Sequence, residues 1–547
     1  MSKSIGILIG QAIVVPALLA GADPAHAQAP AEAAVEGEGA LEEVVVTGSR
    51  IRRSATDTSA PVVMVDQQSL TDRGFVSAAQ ALNQLTSANP ALNLAPGSGG
   101  PSGSGQQFPA LFGLGTGRTL TLVNGRRMVT SSSGLGDAQV DANVIPTGLL
   151  DRVEIVQGSG AAVYGSDAIA GVINYVLKKD FQGLEVDVQT GNADRGDYQV
   201  NNARVTWGSN FAEERGNVAL NVEWADSPVL GYGARPRGAL ARITGTNPND
   251  TGPNDGIPSV REILDARFWN FNENGVVYNT PAPVLGLMTS LNGNQLQFDR
   301  NGLIIPYRPG ALNGVPFAAG GDGFSYANLV PVIRSGVERV AANALGHFEF
   351  SDNLRLHGEL LYAKTEGIET PQGESHTVLN AAATGAGPIP FTITNPFLTA
   401  PAIATLSAAN PIFAAGAPLF LSKMFTDLVP ADEQTYDTET VRAVLGLDGE
   451  FGWGEREMYW TVSASQARVE GESRRWEVNT ARYNLAINAA LSGGQIVCAV
   501  NADAITTNDA PNCAPINPFG QGNVSQAARD YVNVLAGTDY TNDQTDI

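Results

Sequence analysis

Apolar and polar residues alternate one by one along several stretches of the chain after Asp180. The apolar members are Leu184, Val186 and Val188; Val218, Leu220, Val222 and Trp224; Leu354, Leu356, Leu360 and Tyr362; Val441, Ala443, Leu445 and Leu447; and Met458, Trp460 and Val462. One apolar and one polar face over about ten residues is typical of transmembrane β-barrel strands, with apolar side chains towards lipid and polar ones towards the lumen. A soluble β-sandwich alternates in the same way, so the alternation alone leaves both folds open.

The connections between these strands separate the two folds. We predict seven strands, at residues 184–191, 197–207, 215–226, 337–350, 354–366, 438–450 and 456–470. Three of the joins are short turns, whereas residues 227–336 and 367–437 are very long connections. Alternation of short turns and long loops indicates an outer-membrane barrel, and a compact soluble domain should not carry structureless loops of that length. The long loops are rich in Gly, Pro, Asn and Ala, which predicts irregular lids outside the cell.

The chain before Asp180 has a different pattern, that of a small α/β unit with glycine-rich joints. Short apolar strands are predicted at residues 62–65, 120–123, 153–156 and 172–177. Asn124-Gly125 is a tight-turn signal, because both residues tolerate the positive φ that such turns need. A helix is predicted around residues 78–85, with Ser77 as its possible cap. Nothing in this unit looks like a catalytic centre.

The first 27 residues have the pattern of a secretory signal peptide. Lys3 supplies a positive end, an apolar stretch follows, and Ala-His-Ala at residues 25–27 gives the small-x-small pattern before a cleavage site. The alternative is a membrane-spanning helix, but polar and helix-breaking residues interrupt the run before it reaches about 20 apolar residues. We identify no other stretch that could span a bilayer as a helix, so membrane insertion would be by strands.

A valine-rich segment follows a stretch, residues 28–40, whose Ala, Glu and Gly content predicts disorder. The segment consists of Glu42, Glu43, Val44, Val45, Val46, Thr47 and Gly48. It is β-prone and has no partner strand nearby in the sequence. Such a strand can add to a free sheet edge of another protein through main-chain hydrogen bonds. An ordinary first strand of the following domain is the alternative.

Composition narrows the functional classes. The chain has 55 acidic and 33 basic residues and a net charge of −22, which excludes nucleic acid as a partner because that needs a basic surface. We attribute the acidity to the solubility of large exposed loops in preference to an acidic binding site. A chain of 547 residues is too long for one ordinary core, so we expect at least two structural units.

Residues 118–179 carry a resemblance to a known family. The matching residues are Arg118-Thr119-Leu120, Val123-Asn124-Gly125-Arg126-Arg127, Ile145-Pro146, Arg152-Val153-Glu154-Ile155-Val156, Gly160, Tyr164-Gly165-Ser166, Ala168-Ile169-Ala170-Gly171-Val172-Ile173-Asn174 and Lys178-Lys179. In this order and spacing they resemble the plug domain of TonB-dependent outer-membrane receptors. One departure is Leu111-Phe112-Gly113-Leu114-Gly115, where relatives tend to carry an arginine before Gly-Leu-Gly. An ion pair made by that arginine is therefore not carried over to this chain.

The resemblance implies a mainly β fold with a small α/β plug, followed by the first strands of a nominally 22-stranded transmembrane antiparallel β-barrel. The implied domains are a signal peptide at residues 1–27, a flexible segment at 28–59 with a TonB box at 42–48, a plug at 60–180, and a partial barrel at 181–547 with extracellular loops at 227–336, 367–437 and 472–547. Residues 541–547 read as polar loop after only seven strands. We therefore expect a truncated barrel that does not close by itself.

The resemblance also implies a function, TonB-dependent active transport across the outer membrane of a Gram-negative cell. A scarce small ligand, such as a siderophore, cobalamin or a saccharide, would bind where the extracellular loops meet the plug apex, near a loop at residues 97–105. The TonB box would then pair with the periplasmic domain of TonB, in the TonB–ExbB–ExbD energy-coupling complex. Outer-membrane lipid is the third expected partner. No enzymatic activity, cofactor, metal or nucleic acid is expected.

Other chemistry in the sequence has simpler interpretations. Residues 153–160 followed by Asp180 imitate a dinucleotide fingerprint, but glycines break the helix that would hold the pyrophosphate. Cys498 and Cys513 are the only cysteines, and in an exported chain we predict that they form a disulfide. Three scattered histidines are expected to be structural rather than metal ligands. These are His347, His357 and His376.

Two functional alternatives remain open at this stage. An outer-membrane adhesin or passive pore with long loops would need no TonB-pairing strand. A secreted enzyme with a β-rich domain would show soluble activity and no heat-modifiable barrel. No local constellation of nucleophile and base supports the enzyme.

Overall fold

The computed structural model describes most of the chain from residue 61 onwards. It covers residues 61–73, 75, 77–88, 103–131, 139–158, 160–247, 249–312, 316–329, 332–371, 373–380, 386–432, 434–454 and 456–547, and the backbone of two short strands at 45–46 and 53–54. The predicted signal peptide at residues 1–27 and the predicted disordered stretch at 28–40 lie outside the described residues.

Residues 61–177 form an α/β unit, called the plug below. Its strands are β1 (Val62–Asp66), β2 (Thr119–Val123), β3 (Arg126–Arg127), β4 (Leu150–Gln157) and β5 (Gly171–Leu177). They lie in the order β1-β4-β5-β2-β3, and only β2 and β5 are parallel. The helices are Gln67–Asp72, Ala78–Leu82 and Ala161–Tyr164, with 3-10 turns at Thr116–Arg118, Ala142–Val144 and Ser166–Ala168. The mixed sheet has the two parallel strands at its centre, fully buried.

Eight antiparallel strands form a second sheet, called the wall. They are β6 (Gly183–Asn192), β7 (Gln199–Phe211), β8 (Gly216–Ser227), β9 (Gly336–Ser351), β10 (Leu354–Glu369), β11 (Gln434–Trp453), β12 (Arg456–Val478) and β13 (Asn533–Asp546). Each strand pairs with its neighbours in chain order, so β6 and β13 are the two edges. A mainly β fold with a small α/β plug, predicted from the sequence, is confirmed.

The structure differs from the sequence prediction at the end of the chain. We predicted seven strands and a loop over residues 472–547. Instead β12 continues to Val478, and β13 pairs with it from Asn533 to Asp546. The outward positions of β13 include Asp539, Thr541 and Asp543 instead of an apolar row, so the alternation signal is missing there.

The two faces of the wall have opposite character, as the alternation predicts. On β8, Leu220 and Val222 are 44% and 53% exposed, whereas Asn221 and Glu223 are each 1% exposed. The polar face is buried because the plug packs against it. Small wall residues such as Ala341 and Ala363 join the apolar core of the plug. The same alternation therefore gives an exposed apolar face and a covered polar face.

Three long connections, at residues 228–335, 370–433 and 479–532, pack together into one body, called the cap. Its strands are Leu230–Gly231, Ile243–Thr246, Val260–Ile263, Ala266–Phe268, Val276–Tyr278, Ser290–Leu291, Asn294–Phe298, Ile304–Tyr307, Ala311–Leu312, Phe317–Ala319, Phe324–Ser325, Val332–Arg334, Glu374–His376, Ile389–Phe391, Leu419–Phe425, Ala489–Ser492 and Gln495–Cys498. Its helices are Pro236–Ala239, Tyr326–Leu329, Ala400–Ala409, Pro411–Ala414, Thr480–Ile487 and Gln526–Val532, and its 3-10 turns are Tyr232–Ala234, Leu285–Leu287, Val378–Asn380 and Ala499–Asn501.

The cap corrects the expectation of irregular, structureless loops. Phe298, Phe391 and Phe519 come from the first, second and third connection respectively, and their ring centroids lie 4.7–6.2 Å apart. A shared hydrophobic core therefore supplies the free energy that an isolated loop lacks. Among the helices of the described part of the chain, none is long and apolar enough to cross a membrane.

Candidate functional site

The turn between β2 and β3 is one of the parts of the plug that reach the wall. Asn124 and Gly125 have φ values of 50° and 75°, the left-handed region that their residue types tolerate. Asn124 Oδ1 accepts from the backbone N–H of Leu177 at 2.9 Å, and Asn174 Oδ1 accepts from that of Gly125 at 2.9 Å. The turn is thus fixed to the end of β5.

A buried carboxylate supports this turn from within the plug. Glu154 is fully buried on β4, and its Oε2 accepts from Nδ2 of Asn174 at 3.3 Å. Its Oε1 accepts from Nη2 of Arg152 at 2.7 Å. A buried charge needs such partners, and Arg152 and Asn174 supply them.

Glu359 on the inner face of β10 joins the turn to the wall. Its Oε1 accepts from Nη1 of Arg126 at 3.2 Å and from Nδ2 of Asn124 at 2.8 Å. Its Oε2 accepts from Nη1 of Arg442 on β11 at 3.0 Å. The Glu359 side chain is 9% exposed, so these are charge-assisted bonds in a largely desolvated place. We call Asn124, Arg126, Glu359 and Arg442 the anchor.

A second contact holds the plug segment before β4. The backbone N–H and hydroxyl of Thr147 donate to Glu223 Oε2 at 3.0 and 3.1 Å. Arg339 lies 2.6 Å from Glu223 Oε1 through Nη2, and its Nη1 donates to the carbonyl of Asn143 at 2.6 Å. Arg204 Nη1 donates to the Thr147 hydroxyl at 3.1 Å. Two wall arginines and one wall carboxylate therefore bind neutral groups of the plug.

The segment that departs from the family pattern has one exposed and one buried apolar residue before Gly113, and the exposed one is Phe112 at 50%. Leu111 is 1% exposed and belongs to the plug core, and its backbone N–H donates to the Thr119 hydroxyl at 3.0 Å. The plug-to-wall ion pair at the anchor uses Arg126 instead. Glu359 alternates with Leu360 and Tyr362 in the sequence, which puts it on the polar face of its strand. The sequence gives no signal for which plug residue meets it.

The described part of the predicted apical loop is packed against the wall. Residues 97–102 lie outside the described residues, whereas Ser104 and Gly105 are buried. A Cβ at Gly105 would lie 2.7 Å from Gly367 Cα on β10, so two glycines allow the backbones to touch. Gln106 Nε2 also donates to the Thr438 hydroxyl at 3.4 Å.

Asp141 is a buried carboxyl group at this interface. It caps the 3-10 turn Ala142–Val144, and its Oδ1 accepts from the backbone N–H groups of Gln107 and Asn143, each at 2.9 Å. Burial raises the pKa of Asp141 to about 7, against the opposing effects of those two bonds and of Arg339. This group therefore changes its charge near neutral pH.

Lys423 links the three long chain segments that form the cap. It lies on Leu419–Phe425, which pairs with Val276–Tyr278, and its Nζ donates to the carbonyls of Pro518 and Gly520 at 3.0 and 2.6 Å. Its side chain is fully buried, and burial lowers the pKa of Lys423 to about 8. The cap is thus tied together by a polar contact as well as by its core.

Of the predicted TonB-pairing residues, the structure describes only the backbone of two. Val45–Val46 forms a short strand that pairs antiparallel with Arg53–Ser54. Glu42, Glu43, Val44, Thr47 and Gly48 lie outside the described residues. Their pairing with TonB stays a prediction.

The two cysteines and two of the histidines singled out from the sequence make contacts typical of structural residues. Cys498 and Cys513 are joined by a disulfide in the third connection of the cap. His347 lies 3.4 Å from Asp180, and His376 stacks on Tyr483 at 4.2 Å between ring centroids. Within the described ranges, no group of three or more His, Cys, Asp or Glu residues is arranged to hold a metal ion.

Comparison with known families gives the plug its identity. Residues 54–172 match the sequence model of the TonB-dependent receptor plug domain. These residues are a TonB-dependent receptor plug domain. The recognition of this receptor family from the sequence is therefore confirmed, and the anchor residues Asn124 and Arg126 lie inside the matched plug domain.

Two curated relatives are vitamin B12 transporters named BtuB. The protein of Vibrio cholerae serotype O1 is 33% identical over 214 residues, which are 38% of this chain and 30% of that protein. The protein of Vibrio vulnificus is 31% identical over 151 residues, or 27% of this chain and 23% of that protein. The chain thus aligns with less than a third of the length of these relatives.

Two solved structures are similar to this chain at low sequence identity. One is a mutant ferric enterobactin receptor of Pseudomonas aeruginosa in complex with enterobactin, with 12% identity, a TM-score of 0.37, and coverage of 76% of this chain and 42% of that one. The other is the siderophore receptor PiuA of Acinetobacter baumannii, with 13% identity, a TM-score of 0.36, and coverage of 90% and 55%.

Proposed function

We propose that this chain belongs to a receptor that carries a scarce small ligand across the outer membrane by TonB-dependent active transport. The observation that carries the proposal is a TonB-dependent receptor plug domain seated on the polar face of an antiparallel wall. The plug meets the wall through charged contacts, neutral hydrogen bonds and small apolar side chains, whereas the wall strands pair only with one another. The plug could therefore be released without dismantling the wall. The geometry offers binding and force transmission, and the described residues contain no arrangement that calls for catalysis.

The outward face of the wall supports a membrane location. Going towards the cap, the unbroken row of apolar outward residues on β6 to β12 ends at Val188, Ala203, Trp224, Val340, Tyr362, Val441 and Ala464, and polar residues follow it. Ile368 on β10 and Trp476 and Val478 on β12 lie beyond this boundary, at the cap end of the wall. In four of the six neighbouring strand pairs the two boundary residues are directly opposite each other. The boundary residue on β10 lies two residues from the partner of Val340, and the one on β12 lies four residues from the partner of Val441, both in the direction away from the cap. The total shift is thus six residues over six strand pairs. With about 3.3 Å per residue and about 4.8 Å between strands, a level boundary requires a strand tilt of about 35°.

That tilt lies within the range of transmembrane barrels. Exposed aromatic residues also stand at the short-turn end of the wall, where such barrels carry an aromatic girdle. They are Phe211, Phe350, Phe451 and Trp453, with exposed fractions of 46%, 54%, 47% and 73%. We infer that the apolar face contacts outer-membrane lipid, with the cap on the extracellular side and the short turns in the periplasm.

The ligand is proposed as a class. The relatives aligned here are named vitamin B12 transporters, which supports cobalamin before a ferric siderophore or a saccharide. We propose that it binds between the cap and the plug apex. Val45–Val46, already in extended conformation, would exchange its present partner strand for the sheet edge of TonB.

Deleting residues 42–48 tests the energy coupling. Transport of cobalamin or ferric siderophore by cells that carry the receptor is expected to fall to the level of cells without it, because TonB has no strand to pair with. Surface display, measured by antibody binding to the cap, should remain. The matched control deletes seven residues at 30–36.

Unchanged transport after the deletion would contradict TonB coupling and favour a passive pore. Absence of transport by the undeleted receptor, with the cap displayed at the surface, would favour an adhesin.

A further inference from the structure

His357 on β10 lies between the plug and the next wall strand. Its Nε2 is 2.5 Å from Nη2 of Arg126 in the plug, and its Nδ1 is 3.0 Å from Oδ2 of Asp448 on β11. The residue directly opposite on β11 is Gly446, where a Cβ would collide with the imidazole ring. His357 is 8% exposed, so the wall provides a closed space of the size of the ring.

The contact with Arg126 fixes which nitrogen of the ring carries the proton. A guanidinium group has only donors, so His357 Nε2 must be an unprotonated acceptor while Arg126 is seated. The single proton of the neutral ring is then on Nδ1, on the side of Asp448. Protonation would place a second N–H at Nε2, pointing at the guanidinium. Donor would face donor, and two positive charges would meet in a desolvated place.

The charges around the ring do not compensate for this. From the plug comes Arg126, and from β10 itself come Arg355 and Glu359. From β11 come Arg442 and Asp448. On β12, Ser463 is neutral, and its hydroxyl accepts from Arg126 Nε at 3.2 Å. On β9 the residue directly opposite is His347, which lies beside Asp180. Three guanidinium groups thus face two carboxylates before His357 takes up a proton.

We propose that His357 is an acid-sensitive release switch for the plug. A proton on Nε2 expels Arg126 from its place on the wall and loosens the turn at residues 124–127, while Glu359 stays paired with Arg442. Protonation and seating of the turn oppose each other, and by linkage each weakens the other equally. The proposal rests on the plug movement that the proposed function requires.

Hydrogen exchange of the full chain in outer-membrane vesicles tests the switch without ligand or TonB. The readout is the opening constant of amides at residues 122–128, corrected for the intrinsic exchange rate, at pH 7.5 and pH 5.5. The wild-type constant is expected to rise about three-fold or more, with a ceiling of about ten-fold per pH unit set by the uptake of one proton.

Two glutamine variants separate His357 from its neighbour. In His357→Gln the side-chain amide can still accept from Arg126 but takes up no proton, so the pH response should disappear. In His347→Gln, the matched control on β9, the response should remain. Should His357→Gln fail to fold, Arg126→Gln must also abolish the response, because no guanidinium is left to expel.

A wild-type turn that opens equally at both pH values would overturn the proposal, and so would a response that persists in His357→Gln. A receptor that fails to transport yet keeps the response would contradict the proposed function and leave the switch intact.

Discussion

Asp141 of the plug and His357 of the wall lie at two different plug–wall contacts, and we expect acid to strengthen the first contact and to weaken the second. Asp141 lies under the segment that Arg339 binds, and its Oδ1 bonds are made to backbone N–H groups that a neutral carboxyl oxygen can also accept from. His357 faces a cation that its protonated form repels. A measurement of global stability therefore reports Asp141, whereas exchange at the turn reports His357.

Asp141→Asn is predicted to remove a pH dependence of stability. The pKa of Asp141 is raised from 3.8 to about 7 by burial, so its stabilising protonated form is fully present below about pH 3.8 and lost as pH rises through about 7. The wild type should lose on the order of 3–4 kcal/mol relative to the asparagine variant between pH 4 and pH 7.5. Urea unfolding of the full chain in detergent micelles at both pH values measures this difference.

Asn at this position keeps the Oδ1 acceptor, so the variant is close to isosteric. Asp167→Asn, on an exposed part of the plug, is the control and should keep the wild-type slope. Parallel pH profiles for the wild type and Asp141→Asn would contradict the assignment.

At the scale of strands, the wall carries a row of carboxylates on its outward face, between the apolar residues and the cap. Its members are Asp226, Glu338, Glu366, Asp437, Glu472 and Asp539, one on each strand from β8 to β13. Each is directly opposite the next in the pairing register. Like charges directly opposite each other destabilise a sheet. Two cations offset part of this repulsion, since Arg474 pairs with Glu472 and both Arg474 and Lys364 attract Asp437.

Asp437→Asn is therefore predicted to stabilise the wall. The substitution removes one charge opposite two others, and the expected gain is about 0.2–1 kcal/mol in urea unfolding at low salt. In about 1 M NaCl the gain should vanish, because the Debye length falls to about 3 Å. Glu457→Gln at the short-turn end serves as the control. An Asp437→Asn variant that is less stable than the wild type at low salt would contradict this prediction.

The strands and the plug were predicted from two different signals. Strands β6 to β12 were found because outward-facing and plug-facing residues alternate with period two. The plug was found from the ordered matches over residues 118–179, which include the Asn124-Gly125 turn. The anchor was not found, since Arg126 and Glu359 are separated by 233 positions and meet only through register. The cap was missed because most of its strands have two to five residues, too few for a period to appear.

At the scale of the whole molecule, the three long connections behave as one folding unit, because each contributes a phenylalanine to a common contact. Phe298→Ala is predicted to cost about 3–5 kcal/mol and to raise hydrogen exchange in all three connections, including Leu419–Phe425 and residues 515–524. Phe350→Ala on β9, where the ring is 54% exposed, is the matched control. Faster exchange confined to residues 228–335 would show that the connections fold independently.

If the plug leaves the wall as proposed, the pairing of charges within the wall has a consequence for the solute that follows it. Glu223 has Arg339 beside it on the neighbouring strand, and Glu359 has Arg442, so neither carboxylate depends on the plug for its counter-ion. A vacated lumen would then present neutralised pairs in place of bare charges along this part of the wall. This part of the wall would then select solutes by their size and hydrogen-bonding groups more than by the sign of their charge.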